Sequence, residues 1–378
     1  MTSYRVGVIG GGQLARMMIP PAVALGIELS VLEEVEGMSA ELAATGVGDY
    51  RDLDTVLAFA ETVDVVTFDH EHVPPAILRE LTARGIPVHP GPDALLYAQD
   101  KLQMRAKLSE LGLPVPDWAA VESADELAAF LADHGGRAVV KTARGGYDGK
   151  GVRVVSEQNE ADDWFLALAE DGRGGALLVE ELVSFRRELA QLVARRPSGQ
   201  TAAWPVVETV QKNGVCAEVI APAPGSAGRL AEAAEIALRI ADGLGVTGVL
   251  AVELFETTDG RILVNELAMR PHNSGHWSID GAVTSQFEQH LRAVLDLPLG
   301  STELRENWSV MINVLGGPAE GTLLDRYPVA LAAHPEAKVH GYGKAPRPGR
   351  KVGHVTVCGD DLDDVAYRAR AVAVFFQD

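Results

Sequence analysis

Two apolar runs each carry an acid and are joined by a short polar turn. Leu250-Ala251-Val252-Glu253-Leu254-Phe255 leads through Thr257-Thr258-Asp259-Gly260 into Ile262-Leu263-Val264-Asn265-Glu266-Leu267. Apolar runs flanking an Asp-Gly pair predict a β-hairpin. An antiparallel hairpin brings Glu253, Asn265 and Glu266 together. Carboxylates among large apolar neighbours are costly unless a cation or donor meets them. Oxygen ligands from few side chains, with room for phosphate oxygens, suit Mg2+. The other reading is strand alternation that points both acids at solvent.

Upstream, apolar β-branched runs at 4–9, 28–32, 63–68 and 86–89 alternate with helical patterns at 13–25, 53–61 and 75–84. That alternation predicts a doubly wound parallel sheet, hence an α/β domain over 1–97. Pro20 and Pro21 should interrupt or kink the first helix. A long helix is expected over 93–111, ended by Gly112-Leu113-Pro114-Val115-Pro116. The span 98–298 then reads as an α+β block. Its strands fall at 137–141, 152–155, 177–182, 188–194, 201–210, 248–255 and 261–266, with helices at 227–244 and 285–295. After Leu297-Pro298-Leu299-Gly300, strands at 310–315, 337–342 and 353–357 predict a small β-rich C-terminal module over 299–378. No internal repeat or low-complexity segment interrupts this order.

Gly10-Gly11-Gly12-Gln13-Leu14-Ala15 follows the first strand and opens a helix, and Glu33 lies about twenty residues on, the context of a dinucleotide fingerprint. A lone match is weak, and it fits better a plain tight turn whose helix N-terminus faces an anion or carboxylate, because nothing downstream resembles a hydride-transfer site. A second glycine loop, Lys141-Thr142-Ala143-Arg144-Gly145-Gly146-Tyr147-Asp148-Gly149-Lys150-Gly151, lies between two strands. Its free amides and two lysines could close over a triphosphate, or it could be a surface hairpin. It is not a Walker loop, because the terminal Lys-Ser/Thr and the following helix are missing.

Glu180-Glu181-Leu182-Val183 ends an apolar strand, and Glu188 follows. Such a strand end can pair with an adenine edge and offer a carboxylate to ribose, or it can be a solvated acidic turn. Arg270-Pro271-His272-Asn273-Ser274-Gly275-His276-Trp277 follows the second acidic strand and is dense in donors suited to an anion. Its two histidines lack a third partner that would make a zinc site. Lys344, Arg347, Arg350, Lys351 and His354 form a basic cluster that suits a substrate phosphate or is ordinary surface charge.

The formal net charge of −20 opposes general binding to nucleic acid or to an anionic membrane surface. Cys216 and Cys358 sit in no metal or redox spacing and read as reduced cysteines of the cytosol. The first twenty or so residues lack the pattern of a secretory signal. No run of about eighteen apolar residues suggests a membrane span. A cytoplasmic location is expected.

Taken together, these motifs resemble the ATP-grasp superfamily and, within it, the 5-(carboxyamino)imidazole ribonucleotide synthase family of purine biosynthesis. The resemblance covers nearly the whole chain. It rests on Gly12-Gln13-Leu14-Ala15-Arg16-Met17, Gln99-Asp100-Lys101, the second glycine loop, Glu180-Glu181 and Asn265-Glu266-Leu267-Ala268. It rests equally on Arg270 through His276, Ser285-Gln286-Phe287-Glu288 and Gly349-Arg350-Lys351-Val352-Gly353-His354. It implies an ATP-grasp fold whose glycine-rich lid lies in the central domain, with ATP as co-substrate.

The resemblance further implies that Lys101 and Lys141 reach the nucleotide phosphates and that Gly146, Tyr147, Asp148, Gly149, Lys150, Gly151 and Val152 form the lid. Glu180, Glu181, Leu182 and Val183 would face adenine, Glu188 the ribose and Gln211 the nucleotide. Glu253 and Glu266 would hold Mg2+, or Mn2+ in its place, with Asn265 beside the phosphates. Arg270, His272, Tyr147 and Asp148 would be catalytic. Gln13, Leu14, Arg270, His272, Asn273, Ser274, Lys344, Arg350 and Lys351 would receive the ribonucleotide.

The partners so implied are ATP, bicarbonate, 5-aminoimidazole ribonucleotide and a second copy in a homodimer. Three departures stand out: Gln211 where histidine is usual, Met269 where proline is common, and Lys101 where some relatives carry arginine. The last keeps the charge but not the bidentate geometry. The expected chemistry is phosphorylation of bicarbonate to carboxyphosphate and carboxylation of the amine. Other readings are a formate-using ribonucleotide transformylase, a nucleotide-binding regulator without catalysis, and a dinucleotide oxidoreductase.

Overall fold

The computed structural model describes residues 3–145, 151–170, 175–212 and 214–377. Near the N-terminus, β1 (Arg5–Ile9), β2 (Glu28–Glu33), β3 (Ala44–Val47) and β4 (Val65–Phe68) form a parallel sheet in the order β3-β2-β1-β4. Val6, Val8 and Ile9 of β1 are fully buried, as expected of a strand covered on both faces. The helix Gln13–Leu25 covers one face, and Leu53–Ala60 and Pro75–Ala83 cover the other.

Pro20 and Pro21 do not interrupt the first helix, which runs unbroken to a left-handed Gly26. Each proline removes one backbone bond, but buried Met17, Met18 and Ala22 anchor the turns on either side. The strand expected at 86–89 is reduced to a single bridge, Val66 to Val88. Pro87 and Pro90 leave too few donors for a ladder.

The helix expected over 93–111 is two helices, Pro92–Gln99 and Lys101–Glu110. Asp100 is extended between them (φ −133°) and caps the second, its Oδ1 accepting from the amides of Leu102 and Gln103 at 3.1 Å each. N-capping by Asp opens a new helix. The break places Lys101 and Arg105 one turn apart on a fresh helix that faces the central cleft.

Beyond it, β5 (Trp118–Val121), β6 (Ala138–Thr142), β7 (Val152–Val155) and β8 (Leu177–Glu181) make a small antiparallel sheet, ordered β5-β8-β6-β7. The helices Ala124–Asp133 and Asp162–Glu170 pack on it around Leu127, Phe130 and Val179. The remaining strands are β9 (Phe185–Arg195), β10 (Thr201–Ala203), β11 (Val207–Lys212), β12 (Val215–Ala221), β13 (Gly248–Thr257), β14 (Ile262–Ala268), β15 (Trp308–Leu315), β16 (Lys338–Gly341) and β17 (Lys351–Gly359). They form one large sheet, β14-β13-β9-β11-β12-β15-β17-β16, with β10 beside β9.

The C-terminal strands thus continue the central sheet through β12 and β15. Helices Leu323–Ala333 and Leu362–Val374, passed over in the sequence reading, cover that end. The strand expected over 201–210 breaks at Trp204-Pro205-Val206, because Pro205 has no amide for the ladder.

The helix Gln286–Val294 wedges between the N-terminal domain and the large sheet. Its His290 is fully buried. One ring nitrogen accepts from Val249 N at 3.0 Å on β13, and the other meets Thr67 Oγ1 at 2.7 Å on β4. One imidazole therefore pins two domains together and fixes the floor on which the site is built.

Candidate active site

Glu253 on β13 and Glu266 on β14 stand directly opposite one another in register. Immediately after them the register shifts, so that Leu254 pairs with Val264 and Asn265 is left over as a bulge. An extra residue re-aims the side chains around it. The bulge lets consecutive Asn265 and Glu266 both serve the cleft. Asn265 Oδ1 accepts from Lys141 Nζ at 3.3 Å, and Glu266 Oε1 lies 3.0 Å from Lys101 Nζ. The hairpin reading and the convergence of the two acids both hold, and neither side chain simply points away.

Burial, with the neighbouring charges of Glu266 and Glu188, pushes the Glu253 carboxyl up to about 8 against the opposing pull of Lys351 and Arg270. Its Oε1 meets His272 Nε2 at 3.2 Å. His272 Nδ1 receives the backbone amide of Ser274 at 3.3 Å and faces Ser274 Oγ at 2.9 Å. A ring nitrogen that accepts an amide proton carries none of its own, so the His272 proton sits on Nε2, toward Glu253. Burial and the charges of Arg270 and Lys351 hold His272 well below the usual imidazole range, hence neutral.

Lys141 is anchored at the other side of the cleft by Glu180, at 2.6 Å. Glu180 is also paired with Arg105 Nε. Burial alone would raise the Glu180 carboxyl, but Arg105 and Lys141 outweigh it and hold it below its ordinary value. Arg105 is fully buried and donates as well to the Asn265 carbonyl at 2.6 Å. It therefore locks the small sheet to the bulge. Sequence reading missed Arg105; its position four residues after Lys101, on the same helix face, was the available signal. Glu180 serves this lock with its side chain, leaving backbone groups of the strand end for other contacts.

Glu181 accepts from Asp117 N at 3.2 Å, and Leu182 and Val183 are partly exposed beside it. Glu188 lies near Gln211, whose side chain hydrogen-bonds to it. Burial raises the Glu188 carboxyl in spite of that bond. Gly146, Tyr147, Asp148, Gly149 and Lys150 lie outside the described residues. Gly151 and Val152 form the near edge of that loop, with Thr142 N bonded to Gly151 O at 2.9 Å.

The loop after β14 is held from the N-terminal domain and from β15. Arg270 Nε reaches Glu71 Oε2 of the N-terminal domain at 2.8 Å, and Glu71 Oε1 takes the Met269 amide at 3.0 Å. Asn273 is buried in a reciprocal amide pair with Asn313 of β15, at 3.0 and 2.6 Å. The Asn273 side chain is thus turned toward β15, with one hydrogen bond to Asn313 at each end of its amide. Ser274, also buried, supports His272 rather than opening to the cleft. Glu71 and Asn313 have no role in the sequence reading, and Gln286 enters it only as part of the resemblance, since their partners lie far away in the chain.

The N-terminal glycine turn serves its own chain. A Cβ on Gly12 would come within 2.2 Å of Asp69 Oδ2, one on Gly11 within 2.7 Å of Glu33, and one on Gly10 within 2.7 Å of His70. Asp69 sits against Gly12 at the helix N-terminus, where the backbone amides of Gly12 and Ala15 pull its carboxyl down, in the place a pyrophosphate would take. Glu33 is buried and directed inward at Gly11, unavailable to a ribose. The dinucleotide reading ends there. Burial lifts the Asp69 carboxyl to about 6 despite Arg270 and Lys344.

Gln13 faces the crevice, its Oε1 accepting from Lys344 Nζ at 2.6 Å, whereas the Leu14 side chain is buried in the core and leaves only its backbone for a ligand. Lys351 and Arg270 act electrostatically on Glu253 and His272, so they border the same cleft. Arg350 donates to the Ala345 carbonyl at 3.3 Å, and Arg347 is exposed. His354 does not join the basic face. It is fully buried, its Nδ1 2.7 Å from Tyr342 Oη, and burial first of all holds it well below the usual range.

Among the described residues no three His, Cys, Asp or Glu side chains converge on a complete metal site. No described helix is long and apolar enough to cross a membrane.

Three family descriptions match the chain in succession. A ribonucleotide synthetase preATP-grasp domain matches residues 3–99, an ATP-grasp domain residues 106–287, and a phosphoribosylaminoimidazole carboxylase C-terminal domain residues 309–368. N5-carboxyaminoimidazole ribonucleotide synthase of Mycobacterium bovis is 52% identical over 373 residues, covering 97% of this chain and 86% of the relative. The crystal structure of the Thermus thermophilus synthetase of the same name superposes with a TM-score of 0.86 at 36% identity, covering 99% of each chain. The Aspergillus clavatus synthase, solved with ADP and 5-aminoimidazole ribonucleotide, superposes with a TM-score of 0.88 at 33% identity. That match covers 99% of this chain and 98% of that one.

Proposed function

The chain belongs to the N5-carboxyaminoimidazole ribonucleotide synthases of the ATP-grasp superfamily, and from that premise we propose how its own residues divide the work. The enzyme makes N5-carboxyaminoimidazole ribonucleotide in purine biosynthesis, and it binds ATP or ADP together with aminoimidazole ribonucleotide. The cleft between the small and large sheets takes the nucleotide, with Lys101 and Lys141 on its phosphates. The strand end Glu180 to Val183 faces adenine through its backbone, and Glu188 with Gln211 takes the ribose.

Two carboxylates in register, one of them pushed up to about 8 by burial and by its partner, form an oxygen site that a divalent cation fits better than a proton. Glu253 and Glu266 would hold Mg2+ or Mn2+, completed by phosphate oxygens and water. Bound there, the ion supplies neutralisation of phosphate charge as the reaction proceeds.

A bicarbonate oxygen attacks the γ-phosphorus of ATP and ADP leaves, giving carboxyphosphate. Two anions must meet in this step, and Lys101, Lys141 and the lid amides offset their charge. Arg270, steadied by Glu71, holds the carboxyphosphate, and His272 aligns it with Tyr147 and Asp148. Carboxyphosphate breaks into CO2 and phosphate inside the closed site. The exocyclic amine of the ribonucleotide attacks CO2 and passes its proton to the phosphate just released. Gln13, the Leu14 backbone, Lys344, Arg350 and Lys351 orient the ribonucleotide in the crevice outside the carboxyl ends of β1 and β4, where doubly wound sheets take ligands. The enzyme works as a cytoplasmic homodimer, with working domain boundaries at 97/98 and 298/299.

The observation that carries this reading is the Glu253–Glu266 pair flanked by Lys101 and Lys141. The test is ADP release measured with bicarbonate and each of several amines. Release stimulated by aminoimidazole ribonucleotide and not by glycinamide ribonucleotide supports it. Formate-dependent release in place of bicarbonate would sink it in favour of a transformylase.

A further inference from the structure

Gln286, at the start of the helix Gln286–Val294, is fully buried among polar groups that belong to the loop after β14. Its Oε1 accepts from His272 N at 2.9 Å, and its Nε2 donates to His272 O at 2.8 Å and to His276 Nδ1 at 2.9 Å. Its own backbone amide donates to Ser278 Oγ at 2.9 Å, a hydroxyl that in turn donates to Gly275 O at 2.6 Å. Both protons of the amide and one acceptor site are therefore spent on one loop. A Cβ on Gly275 would fall 2.4 Å from Gln286 Oε1, so the loop wraps the amide too closely for any side chain there.

We propose that Gln286 is a positioning residue for the carboxylation reaction: its primary amide is the peg that holds His272 against Glu253. The inference rests on the role given to His272 above. It follows from geometry that only a primary amide satisfies. His272 presents a backbone donor and a backbone acceptor side by side, and a carboxamide answers both at once. The second amide proton goes to His276 Nδ1, which forces the His276 proton onto Nε2. A carboxylate of the same shape keeps the acceptor but sets an oxygen against the His272 carbonyl. A thioether of similar length leaves three buried polar groups unpaired.

Loosening the peg lets His272 swing by a fraction of its ring width away from Glu253 and the reacting groups. Displacements of about 1 Å near reacting atoms cost roughly 100-fold in rate. Gln286→Met is therefore expected to lower kcat roughly 100-fold and Gln286→Glu roughly 10-fold, with KM for ATP within about twofold of the parent. A role in folding alone predicts loss of activity in step with loss of folded protein and unchanged kcat per folded molecule.

The test combines kinetics with 15N NMR of the imidazoles in the parent enzyme, which needs no variant to fold. His276 in the Nε2–H form, together with the kcat losses above at full folded fraction, is the expected result. His276 in the Nδ1–H form in the parent would overturn the proposal. So would Gln286→Met with kcat within about twofold of the parent while His272→Ala is impaired. If His272→Ala itself keeps parent kcat, the assigned role of His272 fails instead.

Discussion

Glu253 and Glu266 face each other across β13 and β14, and the residue the pairing leaves over is Asn265. That one-residue mismatch turns an ordinary hairpin into a site. In a regular ladder, Asn265 and Glu266 would alternate to opposite faces. The bulge lets both reach the cleft, where they meet two lysines from two other elements. The pair is strained as an apoprotein, because Glu253 is pushed up to about 8 and so keeps a proton at neutral pH. A cation binding there must expel that proton.

Glu266→Gln removes one of the two opposed carboxylates. ADP formation with bicarbonate and aminoimidazole ribonucleotide should fall by roughly 100-fold or more, the scale of losing a charge contact made in the transition state. Without ligands, the same variant loses the Glu266–Lys101 ion pair and relieves little repulsion on a protonated Glu253, so it should melt slightly below the parent. Steady-state ADP assays and differential scanning calorimetry read the two arms. A variant that melts much lower and keeps its rate would assign the pair a structural role.

Arg105 is the buried hinge pin between the small sheet and the bulge. Arg105→Leu leaves Glu180 buried with Lys141 alone and should cost about 3–5 kcal/mol, the scale for breaking a buried ion pair from one side. Arg105→Lys keeps the charge but cannot serve Glu180 and the Asn265 carbonyl in one fork. Its KM for ATP should rise several-fold. Chemical denaturation and ATP titration check both.

Much of this was legible in the sequence, and the limits have physical causes. The hairpin was legible because apolar runs and an Asp-Gly turn are local signals. The break at Asp100 is written in a capping residue, but the periodicity on either side is continuous and reads as one helix. The bulge at Asn265 was invisible, because register is set by both strands. Glu71, Asn313, Gln286 and Asp69 could not be assigned, because each acts on residues distant in the chain. The glycine turn is the plain one whose helix N-terminus faces a carboxylate: Gly10, Gly11 and Gly12 make room for the chain's own His70, Glu33 and Asp69.

Acid should unfold the protein through its buried histidines. Burial lowers His290 from 6.5 to about 3, so the folded state holds it neutral. The unfolded state binds a proton below about 6.5 and the folded state does not, so stability is full above that pH and is lost as pH falls toward 3. The shift is worth on the order of 5 kcal/mol at its limit. His70, His272, His276 and His354 are lowered in the same direction. Glu253 and Asp69, whose carboxyls are raised to about 8 and about 6, work in the opposite direction. The histidine share is therefore read by difference: between pH 7 and pH 5 the parent should lose more melting temperature than His290→Asn, which is the less stable of the two at pH 7. An unchanged slope in the variant would mean that His290 is not neutral in the folded chain.

Phosphorylation of bicarbonate in this cleft leaves an isotopic trace. Bicarbonate labelled with 18O, given with ATP and aminoimidazole ribonucleotide, tests it most directly. Attack of a bicarbonate oxygen on the γ-phosphorus leaves that oxygen on phosphorus when carboxyphosphate breaks down. The phosphate released should therefore carry one 18O per turnover, as read by 31P NMR. Phosphate without label, formed alongside the carboxylated ribonucleotide, would contradict the account.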